Sequence, residues 1–210
     1  MTKSFPVESH LVTLFEDVLR CRRCSIDCVK RNEGYDIPQP GWVGRRFEGL
    51  MFVGQNPGEG RTPPTEPDRK YLEALRNVSD RASLNDMHDR LKEASDTFAY
   101  YNSFHFDVDI ERVAYINAVR CRTVGNSLPR KSVIENCRRH FLTWIEYLQP
   151  KGVVFLGVFA HRATADLLDQ RGINHVVISR QRSLSRERRI GQDTLAREFI
   201  SNVLTATKRK

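Results

Sequence analysis

The fold is decided by residues 50–58, which read LMFVGQNPG. The apolar run at the start of this stretch has the length and composition of a strand buried on both faces. The glycine, amide and proline residues at 54–58 end the run and predict a tight turn. Glycine lets the backbone of such a turn approach a ligand closely, and the amides of Gln55 and Asn56 both donate and accept hydrogen bonds. We therefore expect a strand followed by a ligand-binding turn that includes Gly54 and Gly58.

Apolar runs of the same kind recur along the chain and alternate with segments of helical spacing. The other predicted strands are 113–119, 153–157 and 175–178. The predicted helices are 7–20, 132–148, 160–168 and a C-terminal helix that starts at Asp193 as its N-cap. Strands that alternate with helices pair in parallel through right-handed crossovers, which places helices on both faces of the sheet. The sequence therefore predicts a three-layer α/β/α fold around a four-stranded parallel sheet.

The parallel pairing of the predicted strands also indicates where the site lies. The carboxyl ends of parallel strands meet at one edge of the sheet, where ligands bind in folds of this class. Asn117 and Gly157 lie near the ends of their predicted strands, residues 179–189 follow the last strand, and the 54–58 turn follows the first. The length of 210 residues fits a single domain over 1–210, with the polar segment 76–106 as an insertion.

The charge of the chain indicates a polyanionic partner. Lysine and arginine together number 34 against 26 acidic residues, which leaves a net charge of +8. Arginine's planar guanidinium suits phosphate oxygens and base edges. Many basic proteins bind no nucleic acid, so this reading has an alternative. No apolar run reaches the roughly 20 residues of a membrane-spanning helix, and we expect a cytoplasmic protein that acts as a monomer without a membrane partner.

The cysteines indicate a metal site more than a disulfide framework. Cys21 and Cys24 form a C-x-x-C pair, Cys28 follows closely, and Cys121 and Cys137 lie about a hundred residues downstream. Five cysteines without a secretory signal do not suit a set of disulfides. Thiolates in this number suit either an iron-sulfur cluster or a structural zinc ion.

Four segments together resemble the uracil-DNA glycosylase superfamily, and its iron-sulfur (family 4) branch most closely. In chain order they are CRRC at 21–24, FVGQNPG at 52–58, INAVRCRTVGN at 116–126, and PKGVVFLG at 150–157 after Cys137. The resemblance covers most of the chain. It implies a [4Fe-4S] cluster and hydrolysis of the N-glycosidic bond of a base flipped out of DNA. The partner would be DNA that contains uracil or a modified pyrimidine, with the protein nucleoid-associated when bound.

The resemblance also assigns roles to residues. Cys21, Cys24, Cys121 and Cys137 would bind the cluster, with zinc as the alternative metal. Asn117 would read the edge of the pyrimidine. Gln55 and Asn56 would lie at the turn that orients the attacking water, where family 4 members have a glutamate in place of Gln55.

The last family motif departs from its usual form. The superfamily has His-Pro-Ser after the fourth strand, and this chain reads SRQRS at 179–183. If Ser183 aligns with the motif serine, Gln181 takes the place of the histidine that stabilises charge on the leaving base. Phosphate contacts and a wedge into the base stack are then expected from the surrounding loop: Arg180, Arg182, Leu184 and Arg186.

Two other functions remain compatible with the sequence. Because amides replace the usual charged groups, the chain is either an active glycosylase or a relative that binds DNA without releasing a base. A third possibility is a glycosylase for an unusual modified base.

Overall fold

A computed structural model describes residues 8–25, 29, 37–58, 64–94, 108–179 and 185–206. The chain divides into two units. Unit 1 comprises Met1–Pro40, Asn56–Phe104 and Val119–Asn136, and unit 2 comprises Gly41–Gln55, His105–Ala118 and Cys137–Lys210. The prediction of a single domain over 1–210 stays a prediction.

Unit 2 is built on a five-stranded sheet. Its strands are β1 (Trp42–Val43), β2 (Leu50–Gly54), β3 (Val113–Asn117), β4 (Gly152–Leu156) and β5 (Asn174–Ile178). Their order is β1-β3-β2-β4-β5. The four longer strands pair in parallel, as predicted. The two-residue β1 pairs antiparallel to β3 and adds a fifth strand that the sequence prediction missed.

Helices cover both faces of this sheet. Helix α5 (Val158–Asp169) packs on β4 and β5, and helix α6 (Arg186–Ala206) packs on β5, β4 and β2. Side chains of a strand alternate between its faces. On β4, Phe155 contacts His161 of α5, whereas a Cβ added at Gly152 would meet Phe199 and Val203 of α6. Because 152 and 155 lie on opposite faces, α5 and α6 do as well, which confirms the predicted α/β/α layering.

The C-terminal helix starts earlier than predicted. It begins at Arg186, so Asp193 lies inside the helix and is not its N-cap. Ser185 takes that place, because its Oγ accepts a hydrogen bond from the backbone N–H of Arg188 and its carbonyl oxygen accepts one from Arg189. A serine in this position satisfies a donor that the first turn of a helix cannot pair.

Unit 1 contains helices α1 (Glu8–Leu19), α2 (Glu66–Arg76) and α3 (Arg81–Leu91). Thr65 caps α2 by accepting from the N–H of Asp68. Asp80 caps α3 in a reciprocal pair with Ser83. Helix α3 is the described part of the predicted polar insertion, and it still buries Leu84, Met87 and Leu91.

Helix α4 (Lys131–Leu148) begins one residue before the predicted start and ends where predicted. The predicted inward face is buried: Val133, Cys137, Phe141, Ile145 and Leu148. No helix in the described ranges is apolar enough over a sufficient length to cross a membrane.

Candidate active site

The carboxyl ends of β2 and β3 bring two of the predicted site residues side by side. Gly54 and Asn117 are the last residues of their strands and are paired in the parallel register. The N–H of Ala118 donates to the carbonyl oxygen of Gly54 at 2.8 Å and extends this pairing by one residue. Asn117 is buried, so its amide lies in an environment where hydrogen bonds fix orientation strongly.

Tyr115 holds the Asn117 side chain. Its hydroxyl donates to Asn117 Oδ1 at 2.9 Å, and both side chains are buried. The Tyr115 ring stacks on Trp42 of β1, with ring centroids 4.5 Å apart and an interplanar angle of 16°. Strand β1 therefore fixes the ring whose hydroxyl orients the amide. Sequence analysis missed Tyr115, although residues two apart on a strand share a face, and this alternation was the available signal.

Gly54 has no room for a side chain. A Cβ at this position would lie 2.4 Å from Asn117 Oδ1 and 2.4 Å from the Tyr115 hydroxyl. The glycine predicted to let the backbone approach a ligand is therefore required by the Tyr115–Asn117 contact.

Asn56 is held by two contacts within unit 1. Its Nδ2 donates to the carbonyl oxygen of Pro57 at 3.1 Å and to Thr123 Oγ1 at 3.4 Å. Thr123 is buried, and its hydroxyl donates in turn to the carbonyl oxygen of Ser127. These bonds direct the amide nitrogen toward Thr123 and the amide oxygen away from it, which suits an acceptor for a water proton. Gln55 and Asn56 are both half-buried.

The other two strand-end glycines differ from Gly54. Gly58 is exposed, and a Cβ there would meet nothing within 4 Å, so packing does not require glycine at 58. Gly157 follows β4 with a φ of 120°, a conformation that favours glycine. Of the predicted turn residues, Gly54 therefore has the strongest structural reason to be glycine.

The four predicted metal ligands are all thiols, not disulfides. Cys24, Cys121 and Cys137 are buried and Cys21 is half-buried. In the described part of unit 1, the sulfurs of Cys21, Cys24 and Cys121 do not all lie within 4.8 Å of one another. Tetrahedral zinc would hold thiolate sulfurs about 3.8 Å apart. The unit 1 thiols are thus spaced more widely than in a zinc site.

The surroundings of these thiols suit a negatively charged centre. Asn136 Nδ2 donates to Cys24 Sγ at 3.6 Å and to the carbonyl oxygen of Arg23 at 3.3 Å. Arg120 and Arg122 flank Cys121 in the sequence, and both side chains are buried. An amide donor of this kind stabilises charge on a metal-bound sulfur. The described cysteines do not form a recognisable metal site, and the binding of an iron-sulfur cluster stays a prediction.

Part of the predicted DNA-binding loop lies outside the described residues. Arg180, Gln181, Arg182 and Leu184 belong to that part. Arg186 is the first residue of α6, and the following residues, 187–190, are exposed. The roles of these five predicted residues stay predictions.

Two histidines of unit 2, His161 on α5 and His175 on β5, have adjacent rings. The rings of His161 and His175 have centroids 5.3 Å apart, and both contact Phe155 edge to face. Burial lowers the pKa of His161, and the charge of His175 lowers that pKa further. His175 Nδ1 also lies 3.9 Å from the Asp169 carboxylate.

An α/β sheet that carries a buried amide at its carboxyl edge is the architecture of a ligand-binding α/β protein. The chain matches the family model of the uracil DNA glycosylase superfamily over residues 43–202, well over half of its length. The protein belongs to this superfamily. The matched range includes Cys121 and Cys137 and begins after Cys21 and Cys24. Among curated proteins, no sequence matches the chain.

Proposed function

We propose that the protein is a DNA glycosylase that hydrolyses the N-glycosidic bond of uracil, or of a related modified pyrimidine, flipped out of DNA. The observation that carries the proposal is the buried Asn117 amide, which Tyr115 holds at the carboxyl end of β3 in a member of the uracil DNA glycosylase superfamily. Base-excising enzymes read an extruded base through hydrogen bonds to its edge. A fixed, buried amide supplies such bonds.

Asn56 orients the water in this mechanism. The oxygen of that water bonds to C1′ of the deoxyribose while the bond from C1′ to the base nitrogen breaks, and the electron pair of that bond stays on the base. The proton lost by the water passes to solvent. An amide is a poor base, but the transition state already resembles an oxocarbenium ion, so positioning of the water supplies much of the acceleration. The bonds from Asn56 to Pro57 and Thr123 support this role.

The remaining predicted residues complete the proposal. Gln55 lies next to Asn56 and supplies a second amide at the turn. Gly54 leaves room for the Tyr115–Asn117 contact, and Gly58 leaves space beside the backbone. Gln181 donates a neutral hydrogen bond to the leaving base in place of the family's histidine. The basic loop and the start of α6 contact the DNA. Phosphates are bound by Arg180, Arg182 and Arg186, and Leu184 fills the gap that the extruded base leaves in the base stack.

We also propose that Cys21, Cys24, Cys121 and Cys137 bind a [4Fe-4S] cluster. The burial of three of these thiols, the Asn136 donor to Cys24 and the arginines beside Cys121 support it. When bound, the cluster would tie the segment after α1 to the start of α4 and take no part in hydrolysis. A structural zinc ion is the alternative metal for these thiols.

The proposed function is tested by measuring base release and DNA binding separately. Single-turnover release of free base from uracil-containing single- and double-stranded oligonucleotides is compared for wild type, Asn56→Ala, Asn117→Ala and the control Asn202→Ala, which changes an exposed amide of α6. Asn56→Ala should slow release by about a hundredfold with little change in DNA binding. Asn117→Ala should weaken both release and selective binding of the uracil strand. Asn202→Ala should match wild type.

Three other outcomes of these measurements would change or overturn the proposal. Salt-sensitive binding with no base released from any pyrimidine would make the protein a DNA-binding relative, an outcome that the amides at 55 and 181 would explain. Release only from a modified pyrimidine other than uracil would keep the reaction and change the substrate. Absence of both binding and release would overturn the proposal.

A further inference from the structure

We propose that Tyr115 is a specificity-determining residue that locks the Asn117 amide so that it selects bases with a carbonyl on the edge it reads and rejects bases with an amino group there. The inference rests on the proposed function, because it assigns the base-reading role to Asn117.

The lock is a single hydrogen bond with a fixed donor. Tyr115 is, among the described residues, the hydrogen-bond partner of the Asn117 side chain, at 2.9 Å from Oδ1. An amide oxygen only accepts, so the Tyr115 hydroxyl must donate. The amide is planar, and a bond that holds its oxygen toward Tyr115 turns the nitrogen, with its two N–H groups, to the other side. Stacking on Trp42 prevents the Tyr115 ring from following the amide if it turns.

The orientation of the amide decides which base it accepts. Uracil carries the O4 carbonyl, an acceptor, where cytosine carries an N4 amino group, a donor. An outward N–H of Asn117 pairs with the carbonyl and meets the amino group donor against donor. Rotation of the amide by 180° would present Oδ1 and reverse this preference. A site built around one hydrogen-bonding orientation rejects the mismatched partner because buried polar groups are left unpaired.

Gly54 completes the lock from the neighbouring strand. A Cβ at 54 would lie 2.4 Å from both oxygens of the Tyr115–Asn117 bond, so any other residue would force the two side chains apart. Position 54 thus provides a second, independent means of breaking the same bond without removing the hydroxyl.

The affinities for two matched ligands measure directly the base preference that the Tyr115–Asn117 hydrogen bond is proposed to set. The ligands are single-stranded oligonucleotides with one 2′-fluoro-deoxyuridine or one 2′-fluoro-deoxycytidine, because the fluorine destabilises an oxocarbenium-like transition state and keeps the base attached. The ratio of the two dissociation constants is compared for wild type, Tyr115→Phe, Gly54→Ala and the control Tyr147→Phe, a half-buried tyrosine of α4. Base release from plain uracil-containing DNA is measured on the same preparations.

Tyr115→Phe should lower the uracil preference about fivefold, which corresponds to about 1 kcal/mol, mainly by tighter binding of the cytosine ligand. Gly54→Ala should lower the preference in the same direction, and Tyr147→Phe should leave it unchanged. If Tyr115 had only a structural role, the variants would bind both ligands more weakly by the same factor, and the ratio of the dissociation constants would stay constant. That result, in whichever of the two variants folds, would overturn the inference.

The two proposals fail in different ways. If wild type releases uracil and the ratio of the two dissociation constants is unchanged in the variants, the proposed role of Tyr115 is wrong and the glycosylase function stands. If wild type releases no base but prefers the uracil ligand and loses that preference in Tyr115→Phe, the lock stands and the reaction is wrong. If wild type releases no base and shows no preference, both are overturned.

Discussion

Thr123 joins Asn56 to the backbone of the loop that follows β3. Its buried hydroxyl accepts from Asn56 Nδ2 at 3.4 Å and donates to the carbonyl oxygen of Ser127. A hydroxyl used as both acceptor and donor has a defined direction, so the Asn56 amide is oriented by a side chain 67 residues away in the sequence. This relation makes Thr123 a positioning residue for the proposed water-orienting amide.

Replacement of Thr123 by valine should slow base release because the Asn56 amide loses its hydrogen bond to the Thr123 hydroxyl while the side-chain volume at 123 stays nearly constant. We expect a fall of about fivefold in the single-turnover rate with DNA affinity unchanged, as for loss of one neutral hydrogen bond. Thr123→Ser should restore the rate. The control Thr143→Val removes an exposed hydroxyl of α4 that bonds only within its own helix, to the Arg139 carbonyl oxygen. Equal rates for Thr123→Val and wild type would contradict the role.

Metal analysis of cysteine variants should distinguish the four proposed cluster ligands from Cys28, the fifth cysteine of the chain. Anaerobically purified wild type should contain about four iron atoms per chain and absorb in the visible range. Cys24→Ser should lose the iron, and the matched control Cys28→Ser should keep it. Zinc in place of iron, with the same loss in Cys24→Ser, would assign the alternative metal, and a colourless protein without either metal would exclude the thiolate site.

Acidification should destabilise the protein through His161. Its pKa is lowered in the folded state, so the unfolded chain takes up the proton at a higher pH than the folded chain does. The stabilising contribution is complete above the unfolded pKa of about 6.5 and declines as the pH falls below it. His161→Phe keeps a ring against Phe155 and removes the titrating group. Its free energy of unfolding, measured with urea at about pH 7.5 and about pH 5, should fall less than that of wild type. An equal fall in both proteins would argue against this source.

The Arg138–Asp166 ion pair should contribute to stability only while the carboxylate is charged. Arg138 donates two hydrogen bonds to Asp166 and a third to the Ala163 carbonyl oxygen, joining α4 to α5. The hydrogen bond from Arg138 and its charge lower the pKa of Asp166, so this contribution is present above the unfolded pKa and lost as the pH falls through the folded pKa.

Asp166→Asn should reduce the free energy of unfolding by no more than about 1 kcal/mol at neutral pH, since Asp166 is more than half exposed and solvent screens the pair. Urea denaturation should show the difference from wild type shrink in acid. The control Asp193→Asn changes an exposed carboxylate of α6 and should show no such difference. A gap between Asp166→Asn and wild type that persists in strong acid would mean that charge is not its cause.

Strands β2, β3 and β4 were predictable from the sequence because they are buried on both faces and therefore consist of continuous apolar runs. Strand β1 could not be found in this way, because Trp42 and Val43 are too few to show a period and lie among glycines and prolines. Their pairing with Tyr115 and Ala114 depends on residues more than seventy positions away. A short edge strand of this kind is defined by tertiary contact.

The start of α6 shows a second limit of periodicity. The sequence at its start is rich in arginine and residues 187–190 are exposed, so an apolar face begins only later, at Ala196, Ile200 and Val203. The pattern therefore favoured Asp193 as the N-cap, although Ser185 makes the capping bond. Capping chemistry at Ser185 was the signal that could have corrected the boundary.

The strand-end residues of the candidate site could be predicted from the sequence. The hydrogen bonds that support their side chains could not. Gly54 and Asn117 follow apolar runs and could be placed at one edge of the sheet. The hydrogen bonds from Tyr115 to Asn117 and from Asn56 to Thr123 depend on rotamers and on the loop path, which a sequence pattern does not specify. The supports matter for function because they decide which side of each amide faces the ligand.

The stack of Trp42 on Tyr115 also gives this site an intrinsic optical reporter. The fluorescence of an indole depends on its immediate surroundings, and the Trp42 indole stacks on the phenol ring that contacts the Asn117 amide. Arrival of an extruded nucleobase at Asn117 would therefore alter tryptophan fluorescence without any attached dye, and stopped-flow emission could time base extrusion separately from the hydrolytic step.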